Sequence, residues 1–82
     1  MLSEQTKEDL LSILASQLSL SLNDITEDSK IVDTLGADSL DIVELVATYE
    51  DKYSIEIPDS EIMKIKIVSD IFDYMENNTN IR

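Results

Sequence analysis

Eighty-two residues contain a single glycine, Gly36, and a single proline, Pro58. These two residue types interrupt regular backbone most strongly. A chain so poor in them is expected to run in helices joined by polar loops. The aliphatic spacing agrees. Leu10, Leu14 and Leu18 recur every four residues with Leu11 beside them, one apolar stripe on a first helix from about Ser3 to Gln17. Ser3 or Thr6 can cap it, and Glu4, Glu8 and Asp9 suit the positive end of its dipole. Ile42, Leu45, Val46, Tyr49 and Tyr53 form the core face of a second helix, which starts at Asp38 or Ser39 and runs to about Lys52. Pro58 biases Ile57 away from helix and can itself open a short helix from Asp59 to Met63. Val68, Ile71, Phe72 and Met75 mark a last helix from about Ile67 to Asn77, and residues 77–82 are expected to fray.

From Leu18 to Leu35 the pattern loosens into polar residues with scattered aliphatics: Leu20, Leu22, Ile25, Ile31, Val32 and Leu35. Ser19–Leu22 alternates like a strand but has no partner run, and an isolated strand is not stable. A long ordered loop pinned by its aliphatics is the reading, and loops of that length in compact domains are often functional. The expected fold is all-α: a small up-down bundle of three main helices plus one short helix, one domain over residues 1–82 with a long first loop.

Composition narrows the function. The chain has no cysteine and no histidine, so thiolate metal sites, disulfides and the usual nucleophile–base pairs near neutral pH are excluded. No apolar run approaches the roughly 20 residues of a membrane span, and the first residues lack the pattern of a signal peptide. A soluble cytoplasmic monomer is expected. Eighteen acids stand against six bases, a net charge of −12. Such a surface repels nucleic acid and anionic lipid, and attracts basic patches on other proteins. No specific metal site is expected, although clustered acids attract divalent ions generally.

The stretch "TLGADSLDIVELV", Thr34–Val46, gathers the features that remain. Gly36 is free to turn, Asp38 is a good N-cap, and Asp41 stands at the spacing of a capping box. Ser39 lies at the first turn of the second helix, where unpaired N–H groups and the dipole suit a phosphate. Serine at a helix start is often only a cap, so the position by itself leaves both roles open. A hydroxyl modified by another enzyme needs no base of its own.

"LGADSLDIVELV", followed by Glu50, Asp51, "IEIPDSE", "KIKIV" and "IFDYM", resembles the acyl carrier proteins. The resemblance implies a 4′-phosphopantetheine attached covalently to Ser39 through a phosphodiester. It would be installed from coenzyme A by a separate phosphopantetheinyl transferase that uses magnesium. The working thiol would then belong to the cofactor, and acyl groups would ride on it as thioesters, most commonly in fatty acid biosynthesis. The chain itself would not be an enzyme. Asp38, Asp41, Glu44, Glu50 and Asp51 would form an electrostatic handle for basic docking patches, with Leu40, Val43 and Ala47 as apolar contacts between them. Leu45, Val46, Tyr49, Ile57, Ile65 and Ile71 would line a cavity for the acyl chain, although any small bundle needs such residues for packing.

The sequence departs from the family pattern at Ile31, where an aromatic is common, and at Thr34, where an acid is common. Ala47 is smaller than the usual methionine, and Ile67 replaces a polar cap. These leave open a specialised carrier of polyketide or other secondary-metabolite acyl groups. Peptidyl carriers usually have glycine and histidine where Ala37 and Asp38 stand, and a D-alanyl carrier lacks the acidic helix pattern. A small calcium-binding protein would need a loop absent here. An acidic inhibitor or nucleic-acid mimic would leave the Gly36–Leu40 arrangement without a purpose.

Overall fold

A computed structural model describes all of residues 1–82. It contains four α-helices, α1 (Glu4–Leu18), α2 (Ser39–Tyr53), α3 (Asp59–Ile62) and α4 (Val68–Asn78), with one 3₁₀ turn at Leu22–Asp24 and no strand. The expected all-α class holds, with three long helices and one short one.

Ser3 is the cap of α1, its hydroxyl accepting from the Thr6 N–H at 3.1 Å. Leu10 and Leu14 are fully buried, while Leu11 and Leu18 pack at the core's edge. The helix stops where Ser19 adopts the left-handed conformation, φ 57°, and Ser54 closes α2 in the same way at φ 55°. Glycine would take these angles more easily, so each serine carries a cost of about 1–2 kcal/mol.

Residues 19–38 form the expected long loop. Ile25, Ile31 and Ala37 are buried, and Ser29 is a buried polar residue whose hydroxyl accepts from the Thr26 N–H at 3.0 Å. Leu22 and Val32, expected among the pinning aliphatics, are exposed instead. The Ser19–Leu22 alternation is the end of α1 running into the 3₁₀ turn. Backbone bonds tie the loop to the start of α4: Ile31 N–H to the Lys66 carbonyl at 3.0 Å, Val68 N–H to Ser29 at 3.1 Å, and Ser69 N–H to Glu27 at 2.9 Å. The Asp70 carboxylate takes the Lys66 and Ile67 N–H groups at 2.8 and 3.0 Å. Loop carbonyls and Asp70 thereby replace the side-chain cap that Ile67 cannot supply, and α4 begins one residue later than expected.

The expected core stripe of α4, Val68, Ile71, Phe72 and Met75, is wholly buried. On α2, Leu45, Val46 and Tyr49 are buried, and Ile42 and Tyr53 are half-buried. The Pro58 carbonyl accepts from Glu61 and Ile62 to start α3, which ends at Ile62 rather than Met63. Residues 77–82, expected to fray, fold back toward α1. Helix α4 continues to Asn78, Ile81 packs against the core, and the Thr6 hydroxyl donates to the Arg82 carbonyl at 2.6 Å. The polar side chains of this segment bond backbone groups instead of only water.

Helices α1 and α2 are cross-linked by the Tyr49 hydroxyl, which donates to the Leu10 carbonyl at 2.8 Å. Burial, and then the neighbouring Tyr53, push the Tyr49 hydroxyl well above its ordinary value near 10. The folded state therefore favours the neutral phenol. Its contribution is fully present below the unfolded pKa of about 10 and is lost as pH rises above it. Tyr49→Phe is expected to lower stability by about 0.5–1.5 kcal/mol at neutral pH. In urea titrations at stepped pH, the variant should also lose stability less steeply than the parent above about pH 10.

Candidate functional site

Residues 30–36 wind into a tight turn. Thr34 and Leu35 donate to the Lys30 carbonyl at 2.9 and 3.0 Å, and Gly36 donates to Val32 at 3.0 Å. Gly36 has φ +78°, the left-handed region that ends such turns. A Cβ there would meet nothing within 4 Å, so glycine is required for its backbone angle and not for space. The Ala37 N–H then donates to Ile31 at 3.1 Å, and buried Ala37 anchors the chain as it enters α2.

Asp38 is the N-cap of α2 and forms the expected box with Asp41. The Asp41 N–H donates to the Asp38 carboxylate at 2.9 Å, and the Asp38 N–H donates to the Asp41 carboxylate at 3.1 Å. This leaves Ser39 as the first helical residue, exposed, with no hydrogen bond to its hydroxyl. Capping is done by its neighbour. Ser39 is therefore not the cap: its Oγ sits at the positive end of a 15-residue helix without a hydrogen bond.

The five acids of α2 differ in how they are used. Asp38 and Asp41 hold each other's backbone N–H groups. Glu50 is half-buried and its carboxylate accepts from the Ile57 N–H at 2.8 Å, bracing the segment before α3. Glu44 accepts from Gln17 Nε2 at 2.6 Å, and Asp51 is exposed without a bond. Leu40 and Val43 are each 63% exposed, and Ala47 is exposed below them. Val43, Ala47 and Glu50 share a groove with α3, whose far side is Met63. Met63, 72% exposed, belongs to this apolar surface and escaped the sequence reading, while Val32, expected to pin the loop, is 54% exposed and lines a neighbouring groove with Met63. Their one signal was position: each lies outside every helical stripe.

Beneath the groove, a cavity of about 30 Å³ is lined only by hydrophobic residues. All six residues expected from the sequence, Leu45, Val46, Tyr49, Ile57, Ile65 and Ile71, line it. So do Ile31, Ile42, Ile62, Tyr74 and Met75, which the sequence reading did not place there. The volume is about that of one water molecule. Burial, and then the charges of Glu61 and Glu50, push the Tyr74 hydroxyl up, so this polar tip stays neutral.

A free serine at a helix start beside an apolar cavity can be compared with known proteins. A family model described as a phosphopantetheine attachment site matches residues 8–75. The acyl carrier protein of Helicobacter hepaticus is 47% identical over 73 residues, which is 89% of this chain and 96% of that protein. That of Wolinella succinogenes is 46% identical over 71 residues, covering 87% and 93%. That of Syntrophobacter fumaroxidans is 46% identical over 69 residues, covering 84% and 85%. This chain belongs to the acyl carrier protein family. Members of the family are carriers and not catalysts, and the prosthetic group of this carrier is a covalently bound 4′-phosphopantetheine. The site fits that group: an unbonded exposed hydroxyl, the unpaired first-turn N–H groups of a helix, and no acid directly bonded to the serine. No helix is long and apolar enough to cross a membrane.

Because space is open around Gly36, Gly36→Ala should cost about 1–2 kcal/mol through backbone strain alone. Chemical denaturation measures the loss, and heteronuclear NMR should place the largest shifts in residues 30–39.

Proposed function

We propose that this chain carries acyl intermediates as thioesters on a 4′-phosphopantetheine arm attached to Ser39, and that it serves fatty acid biosynthesis. The observation that carries the reading is the free Ser39 hydroxyl beside an N-cap already supplied by Asp38. A phosphopantetheinyl transferase would bring the base that removes the serine proton, since the chain offers neither histidine nor cysteine. The arm supplies the thiol on which the acyl group is held. The all-hydrophobic cavity behind α2 suits the acyl tail, and its small size means that the helices must part to admit more than a methylene or two. A cytoplasmic monomer completes the proposal, consistent with a chain free of cysteine and rich in like charge.

Partner enzymes with basic docking patches would approach the acidic side of α2. The geometry divides the labour there. Asp41 and Glu50 serve the backbone, so Glu44 and Asp51 are the acids freest to steer a partner. Leu40, Val43 and Ala47 supply the apolar contact. Weak, fast, salt-sensitive encounters follow from such a surface.

Ser39→Ala should retain the fold and take up no phosphopantetheine when incubated with coenzyme A and a transferase. Intact-mass spectrometry reads the result, and a full mass gain on the variant would sink the assignment. The double variant Glu44→Lys/Asp51→Lys should slow loading about ten-fold or more at low ionic strength, with the gap to the parent closing as salt is added. Equal rates at low salt would refute the steering role.

A further inference from the structure

Outside α2 the surface changes character. A second groove, about 590 Å³, runs between the Gly36-closed turn and α3. Lys30 and Lys66 stand on its rim, brought together by the backbone pairing of residues 30–31 with 66–67. In a chain with 18 acids, neither lysine has a carboxylate within ion-pair distance. Asp33 is the only acid lining the groove, and nearby Lys64 is already paired with Glu61 at 2.8 Å. The lining of the groove thus carries two cations and one anion on a molecule of charge −12, and the Asp70 carboxylate beside it is taken up by the Lys66 and Ile67 N–H groups. Its mouth is apolar, formed by exposed Val32 and Met63.

The back wall of this groove is Ile42, Ile62 and Ile65, and the same three residues wall the internal cavity. Two spaces thus lie on opposite sides of one layer of isoleucine. They offer opposite chemistry. The cavity offers no cation, and the hydroxyls of its two tyrosines, Tyr49 and Tyr74, are directed at the Leu10 and Glu56 carbonyls, so a carboxylate moved into it would lose its hydration without compensation. The groove keeps water access and offers two unpaired ammonium groups. Ile42 lies one helical turn beyond Ser39, a rise of about 5 Å that an extended pantetheine arm exceeds several times over.

We infer that the Lys30–Lys66 groove receives acyl groups that end in a carboxylate, the half-thioesters of dicarboxylic acids, while uncharged acyl chains enter the cavity. The inference rests on attachment of the arm at Ser39. The carrier then sorts its own cargo by terminal charge, and the carboxylate-tipped class is held outside, within reach of an incoming enzyme. Tethering makes strong affinity unnecessary, because the local concentration of the cargo is set by the arm.

The test uses the full chain loaded by a transferase from malonyl-coenzyme A or hexanoyl-coenzyme A, the nucleotide leaving as the acyl phosphopantetheine joins the serine, and each product is checked by intact mass before ¹H–¹⁵N spectra are taken. Malonyl cargo should shift the amides of Lys30, Val32, Met63 and Lys66 relative to the unacylated arm, and 0.5 M salt should diminish these shifts. Hexanoyl cargo should instead shift Leu45, Tyr49 and Ile71. The variant Lys30→Gln/Lys66→Gln should load normally and lose the malonyl-dependent groove shifts; Lys30→Arg/Lys66→Arg should restore them. Failure to load the parent would strike at Ser39 as the attachment point. Normal loading with no groove shifts for malonyl, equal groove shifts for both cargoes, or groove shifts that grow with protein concentration would overturn the sorting inference itself.

Discussion

The pairing of the long loop with the base of α4 is the constraint on which the remaining structure hangs. Residues 19–38 bury Ile25, Ile31 and Ala37, and a buried backbone must find partners for its N–H and carbonyl groups. Here those partners are the orphan groups at the start of another helix. Glu27, Ser29 and Ile31 bond with Ser69, Val68 and Lys66, so one set of contacts satisfies two elements that each lacked a mate. The turn at residues 30–36 is built on this seam. Gly36 and Ala37 then aim the first turn of α2, and with it Ser39.

Periodicity made the helices legible. The stripes at Leu10 and Leu14, at Leu45, Val46 and Tyr49, and at Val68, Ile71, Phe72 and Met75 are buried as their spacing requires. Asp38 and Asp41 were legible because capping depends on local chemistry alone. What stayed hidden was non-local. Nothing in the loop's own residues says that Ser29 and Glu27 will cap α4, or that a tail ending in Asn80, Ile81 and Arg82 will return to Ser3 and Thr6. The exposure of Val32 and Met63 was hidden for the same cause: a lone aliphatic in a turn carries no phase from which to infer its facing.

The site reading improved in one specific respect. In sequence Asp38 and Asp41 stand out as a capping pair, but nothing separates Glu44, Glu50 and Asp51 from one another. In the fold the acids of α2 separate into those that hold backbone, Asp38, Asp41 and Glu50, and those left to solvent or to a single side chain, Asp51 and Glu44. Removing a carboxylate from the first group disturbs a helix start or the approach to α3. Removing one from the second changes mainly the field around the molecule. A charge-scanning experiment that ignores the distinction would mix folding with docking.

The bond from Glu50 to the Ile57 N–H has a mechanical consequence. Ile57 contributes to the wall of both the inner cavity and the outer groove beside α2. The Ile55 N–H meanwhile donates to the Glu50 carbonyl at 3.2 Å. One residue near the end of α2 therefore grips the following strand-like segment at two points, as a hinge pin grips a leaf. A displacement of α3 about this fixed edge would leave the hydrogen bonds of α2 intact. The helix that begins at Ser39 is thereby separated, bond by bond, from the wall that closes the hydrophobic interior.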